Sequence, residues 1–154
     1  MSYATADDLK QRIGASVFQE IYFLTDQSDG SDQSDGSDQS DKVTDDLESA
    51  AAEIDGAIAF RYRLPVTGER SLALLKDWNL TLAEERAFAR PVGGDYTEKI
   101  KRRVDQVRKY LDMIRADQFR LPDAPEKGAA SAGSGIALVQ QDKPVFGREE
   151  MGGF

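Results

Sequence analysis

The 154-residue chain contains no cysteine and no histidine. These absences exclude disulfides, thiolate and imidazole metal ligands, a cysteine nucleophile and a histidine-based acid–base pair. Long hydrophobic runs are also missing: no window approaches a membrane span, and the N-terminal MSYATADDLKQRIG has no apolar core of signal-peptide length. We therefore expect a soluble protein made in a cytoplasm, with no catalytic site, no metal site and no cofactor.

Charge is unevenly distributed along the chain. The formal net charge is −8, from 28 acidic and 20 basic residues. The stretch DQSDGSDQSDGSDQSD, residues 26–41, holds six aspartates and no base, so the rest of the chain carries only −2. This balance does not indicate nucleic-acid binding through a basic surface. We call the stretch the acidic loop, and its aspartates fall at every third position: Asp26, Asp29, Asp32, Asp35, Asp38 and Asp41.

Three interpretations of the acidic loop are open from the sequence. A calcium loop places oxygen ligands at alternate positions and closes with a bidentate glutamate, whereas these carboxylates lie three apart with no closing glutamate. A segment this rich in Asp, Ser, Gln and Gly cannot bury enough apolar area to fold, so we expect a disordered, solvated insertion over residues 26–42. The third interpretation is functional: the loop contacts a neighbour's basic helix, or it lines a DNA channel and repels phosphates.

Apolar periodicity predicts an all-α fold, a small antiparallel bundle of about four helices. Near the start, Thr5 and Asp8 form a capping-box pattern for a first helix, which Gly14 is expected to end. Ser16 is then expected to cap a short helical turn. Three longer helices are expected over residues 45–62, 71–89 and 96–119.

The last of these helices carries the clearest pattern. Asp95 is its expected cap, and its apolar residues form a heptad-like seam. Basic residues on its outer faces are mixed with acids, which favours a solvated helix with ion pairs four apart, such as Asp105–Lys109, over a DNA-binding element. The seam consists of Ile100, Val104, Val107, Leu111 and Ile114.

Composition changes after the helices. GAASAGSG, residues 128–135, cannot form a core, so we assign residues 123–135 to a flexible linker and residues 136–154 to an extended C-terminal arm. Two apolar islands in the arm cannot bury themselves alone, and a short extended segment can add a strand to a partner's sheet edge. We therefore predict that the arm binds a partner through Ile136, Leu138, Val139, Pro144, Val145, Phe146 and Phe154.

Several stretches occur in an order that resembles a known family. YATADDLKQRIG, then AAEIDGAIAFRYRLPV, a leucine-rich helix and YTEKIKRRVDQVRKYLDMIRADQFRL resemble the Mu-type head–tail connector (adaptor) proteins of tailed phages and prophages. The most specific part is AEIDG followed by RYRLP, within residues 52–65. The resemblance covers residues 2 to about 122 without the acidic loop, and it assigns residues 1–122 to a helical connector domain.

The resemblance implies a structural protein and not an enzyme. Such adaptors form a ring, usually twelve-fold, beneath the portal, where they extend the DNA channel and join head to tail. The implied partners are the portal protein, neighbouring copies of the chain and a tail-proximal neck or tail-completion protein. Genomic DNA would pass through without sequence-specific binding, no membrane would be involved, and the location would be the virion neck after assembly in the host cytoplasm. The alternative is a helical binding or regulatory module whose acidic loop binds cations or a basic partner.

Overall fold

The all-helical fold expected from the sequence is confirmed by the computed structural model, which describes residues 2–23, 37–90 and 97–127. For residues 37–39 it describes the backbone alone. These ranges contain no strand, only an isolated antiparallel bridge between Tyr62 and Glu126. They contain five helices, where about four were expected: α1 (Ala6–Ile13), α2 (Ala15–Phe23), α3 (Ser37–Ile58), α4 (Glu69–Phe88) and α5 (Glu98–Arg115).

The predicted capping box at the start of α1 is confirmed. The Thr5 hydroxyl accepts a hydrogen bond from the Asp8 N–H, and the Asp8 carboxylate accepts one from the Thr5 N–H at 3.0 Å. Gly14 ends the helix with a φ of 89°, a region that glycine enters without a Cβ penalty. The prediction of Ser16 as a cap is wrong, because α2 begins at Ala15 and Ser16 lies inside its first turn.

Helix α3 begins at Ser37, eight residues before the expected start at Asp45. The end of the acidic loop, including Asp38 and Asp41, is therefore helical, and the expectation of disorder is wrong for residues 37–42. The physical reason is packing: Val43 is buried one turn before Leu47 and extends the apolar stripe of the helix towards its N-terminus. Carboxylates in the first turns also favour the positive end of the helix dipole.

Helix α4 lies at the centre of the bundle and contacts each of the other four described helices. The sequence predicts more than one buried face for it, and the burial of Leu75, Trp78 and Leu82 confirms this. Against it, all five predicted seam residues of α5 are buried. The expected cap of α5 is wrong: the helix begins at Glu98 with Thr97 as its N-cap residue, and Asp95 lies outside the described residues.

The segment after α5 returns to the bundle and holds the start of α4. The Leu121 N–H donates to the Tyr62 hydroxyl at 2.9 Å. The N-cap position of α4 is Gly68, which has no side chain, and the Asp123 carboxylate accepts the N–H bonds of Arg70 and Ser71 in its place. Residues 123–127, which the sequence analysis assigns to the linker, are thus packed on the helical domain.

This close approach gives a prediction at Gly68. A Cβ at Gly68 would collide with the Asp123 carboxylate and carbonyl, so we expect Gly68→Ala to lower the free energy of unfolding by about 1–3 kcal/mol. Gly56 of α3 is the matched control, since a Cβ there meets nothing within 4 Å and alanine favours a helix by up to about 1 kcal/mol. Urea unfolding of both variants should give opposite signs, and equal effects would contradict the close approach.

Candidate interaction surfaces

An open apolar groove of about 640 Å³ lies between the N-terminal segment, α3 and the first turns of α4. We call it the N-terminal groove. Two of its side chains, Leu64 and Leu72, are 41% and 37% exposed, and both line the groove. Its floor is formed by Leu64, Pro65, Val66, Leu72 and Ala73, and its polar rim by Ser2, Tyr3, Asp55 and Lys76.

The rim is held in place by hydrogen bonds between distant parts of the sequence. The Tyr3 hydroxyl donates a short hydrogen bond to Asp55 of α3, and burial together with this bond raises the pKa of Tyr3 above its usual range. The Ser2 hydroxyl donates to the side-chain oxygen of Asn79 at 3.2 Å, and the Asn79 amide donates to the Leu47 carbonyl at 2.9 Å. The N-terminal segment is therefore fixed against both α3 and α4.

The groove also brings together the motifs that carry the family resemblance. Tyr3 belongs to YATADDL, Asp55 to AEIDG, and Leu64 and Pro65 to RYRLP. No sequence-based prediction identified this surface. The available signal was weak: Leu72 departs from the single stripe expected of a surface helix, and Leu64 is an apolar residue in a loop.

The basic side chains of α5 bind acids on neighbouring helices. Arg103 donates to Glu84 of α4 at 2.9 Å, and Arg108 donates to Glu53 of α3 and to Glu85 of α4. Burial alone would raise the pKa of Glu53, but hydrogen bonds from Arg86 and Arg108 lower it below its usual range. These contacts tie α5 to α3 and α4.

The predicted ion pair between Asp105 and Lys109 does not form within the described residues. Both side chains are exposed. The prediction was wrong because it was based on helical spacing alone. Acids on α3 and α4 lie at partly desolvated sites next to the basic face of α5. The ion pairs at Arg103 and Arg108 therefore run between helices.

Of the residues predicted to bind partners, only Asp38 and Asp41 lie within the described residues. In the acidic loop, Asp41 is exposed on α3 and the backbone of Asp38 lies in the same helix. In the ranges 2–23, 37–90 and 97–127, no group of three or more acidic side chains could hold a metal ion. None of the helices in those ranges is long and apolar enough to cross a membrane. The other predicted residues lie outside the described residues: Asp26, Asp29, Asp32, Asp35, Ile136, Leu138, Val139, Pro144, Val145, Phe146 and Phe154.

Fold and surface together define a small all-helical protein with an open apolar groove, a form suited to contacts with other polypeptide segments. The chain belongs to the bacteriophage Mu Gp36 family, whose model matches residues 3–139. This match includes the acidic loop, the small-residue segment and the start of the C-terminal arm, so it is longer than the resemblance seen in the sequence. No curated protein matches the chain.

Acid should weaken the ion pair beside the groove. A hydrogen bond from Lys76, followed by hydrogen bonds from Thr5, lowers the pKa of Asp8 from 3.8 to about 2. Because the folded-state pKa is the lower one, this carboxylate stabilises the fold above pH 3.8 and the contribution is lost as the pH falls towards 2. The Asp8 side chain is partly exposed, so we expect Asp8→Asn to cost less than about 1 kcal/mol at pH 6.

Urea unfolding at pH 6, 4 and 2.5 measures this effect. The difference between Asp8→Asn and the unchanged protein should shrink as the pH falls. Asp7→Asn, which removes an exposed carboxylate from the same helical turn, is the control for the loss of one negative charge. A difference for Asp8→Asn that stays constant across the series would contradict the ion pair.

Proposed function

We propose that this protein is a structural head–tail connector of a tailed bacteriophage. In this proposal its copies form a twelve-fold ring beneath the portal, extend the DNA channel and join head to tail. The observation that carries the proposal is membership of the phage Mu Gp36 family over residues 3–139. The chain acts by position and contact, without catalysis.

The bundle supports this proposal because a ring subunit must transmit force between its neighbours without deforming. Helix α4 is enclosed by the other described helices, and Glu84 on it accepts hydrogen bonds from Arg12 of α1 and Arg103 of α5. Interiors packed in this way have low compressibility. A rigid helical domain suits an adaptor that is placed between two larger assemblies.

The charge distribution supports passage of DNA without tight binding. Exposed acids continue along the N-terminal half of α3 from the acidic loop, at Asp41, Asp45 and Glu48. Carboxylates facing a channel repel phosphates, whereas a basic lining would hold DNA through the release of counterions. On α5, the pairing of Arg103 and Arg108 with acids reduces the charge available for phosphate contacts.

Assembly with portal protein tests the proposal directly. We expect the purified chain to form rings, or to join them when portal protein is added, with masses by mass photometry and shapes by negative-stain microscopy that correspond to a complete ring. A helical regulatory module would remain a small oligomer under the same conditions. That result, at concentrations where the portal itself is assembled, would contradict the connector function.

The C-terminal arm should be needed for assembly and not for folding. Truncation after Lys127 keeps the contacts of Leu121 and Asp123 with the bundle, so we expect a folded helical domain with retained helix content and a loss of incorporation into portal complexes. Incorporation is measured by co-sedimentation with portal particles.

Substitutions within the full-length arm make this test sharper. Serine at Ile136, Leu138, Val145 and Phe146 should prevent incorporation, since it removes the apolar side chains that dock. The matched control places serine at Gln140, Gln141, Lys143 and Arg148, four polar positions of the same arm. Equal incorporation of the two variants would show that the apolar residues of the arm are not the docking element.

A further inference from the structure

We propose that the N-terminal groove binds the first apolar island of the chain's own C-terminal arm, residues 136–139, in the free protein. The inference concerns a contact within one molecule and does not rest on the connector function. It assigns an occupant to the groove and a position to the arm before any partner is met.

The groove has the chemistry that this segment needs. Within the described residues four large hydrophobic side chains are exposed, and two of them, Leu64 and Leu72, share this groove. The segment IALV is rich in β-branched and aliphatic residues, and in an extended chain Ile136 and Leu138 point to the same side. Two side chains two positions apart would thus cover the apolar floor.

The backbone of the groove also offers hydrogen bonds to an extended chain. The loop preceding α4 already pairs with the C-terminal segment, since the Arg63 N–H donates to the Pro125 carbonyl and the Lys127 N–H donates to the Arg61 carbonyl. Further along the same loop, the N–H groups of Leu64 and Val66 make no hydrogen bond within residues 2–23, 37–90 and 97–127. An extended segment can use such groups for affinity while its side chains fill the groove.

The connection to the arm has the length that an intramolecular contact requires. Lys127 is hydrogen-bonded to Arg61 at 2.6 Å, and the three residues from Arg61 to Leu64 span at most about 11 Å, so the chain leaves the domain close to the groove. Residues 128–135 are eight small residues, and a flexible chain of this length and composition has an r.m.s. extent of about 15–17 Å. When extent and span match, the effective concentration reaches the order of millimolar, above that of a second copy in dilute solution.

The absence of cysteine allows a clean cross-linking test on the full chain. Ala73→Cys places a thiol in the groove and Leu138→Cys places one in the arm, so any intramolecular disulfide that an added oxidant forms in the double variant joins these two positions. We expect an intramolecular disulfide that forms about tenfold faster than in the control pair described below, because docking raises the local concentration of the thiols. Non-reducing electrophoresis of dilute protein measures the rate and separates monomers from dimers.

The control pair is Phe60→Cys with Leu138→Cys. Phe60 is 83% exposed, lies outside the groove and neighbours Arg61, where the chain leaves the domain, so the tether alone favours this control. In a third variant, Leu64→Asp and Leu72→Asp are added to the groove pair. Both positions are partly exposed, so the helix content by circular dichroism should persist while the disulfide rate falls to that of the control.

Three results would overturn the proposal. A groove-pair rate equal to or below the control leaves the groove to another occupant, such as a portal segment. A rate that Leu64→Asp and Leu72→Asp do not change, with helix content retained, shows that the groove does not hold the arm. Disulfides formed mainly between chains in the dilute double variant assign the groove to the arm of a second copy.

Discussion

The structure depends most on the burial of α4, and on the single carboxylate that this burial must satisfy. Glu84 is 5% exposed, yet it receives hydrogen bonds from Arg12 of α1 and Arg103 of α5. Leaving such a charge unpaired would cost several kcal/mol, on the order of 3–5. The same three side chains therefore fix the positions of α1 and α5 on the two sides of α4, in addition to the non-directional packing of the apolar core.

The N-terminal groove follows from this arrangement. With α1 fixed on α4, the residues before it reach α3, where Tyr3 meets Asp55, and the loop before α4 forms the opposite wall with Leu64. Asp123 then holds the first turn of α4 from the far end of the domain. The groove is thus made of segments that lie far apart in the sequence, on a chain that belongs to the bacteriophage Mu Gp36 family.

Local patterns predicted the parts of the fold that depend on neighbouring residues. The capping box of Thr5 and Asp8, the termination at Gly14 and the buried seam of α5 were all predicted, since each needs only residues within a few turns. Two of the wrong predictions depend on tertiary packing instead. The early start of α3 depends on the burial of Val43, and the packing of residues 123–127 depends on Gly68 and Tyr62 more than fifty residues away in the chain.

The sequence by itself determined the helical class, the positions of the apolar stripes, the concentration of negative charge in one segment and the family. The first three follow from composition and from the helical period, which are local, and the family follows from the resemblance of its sequence motifs. Only the tertiary structure decided which ions pair and where a groove opens. Arg103 and Arg108 pair with acids on other helices and not with neighbours on α5. Water screens the attraction to a partly buried carboxylate less than the attraction to one on an exposed helix face.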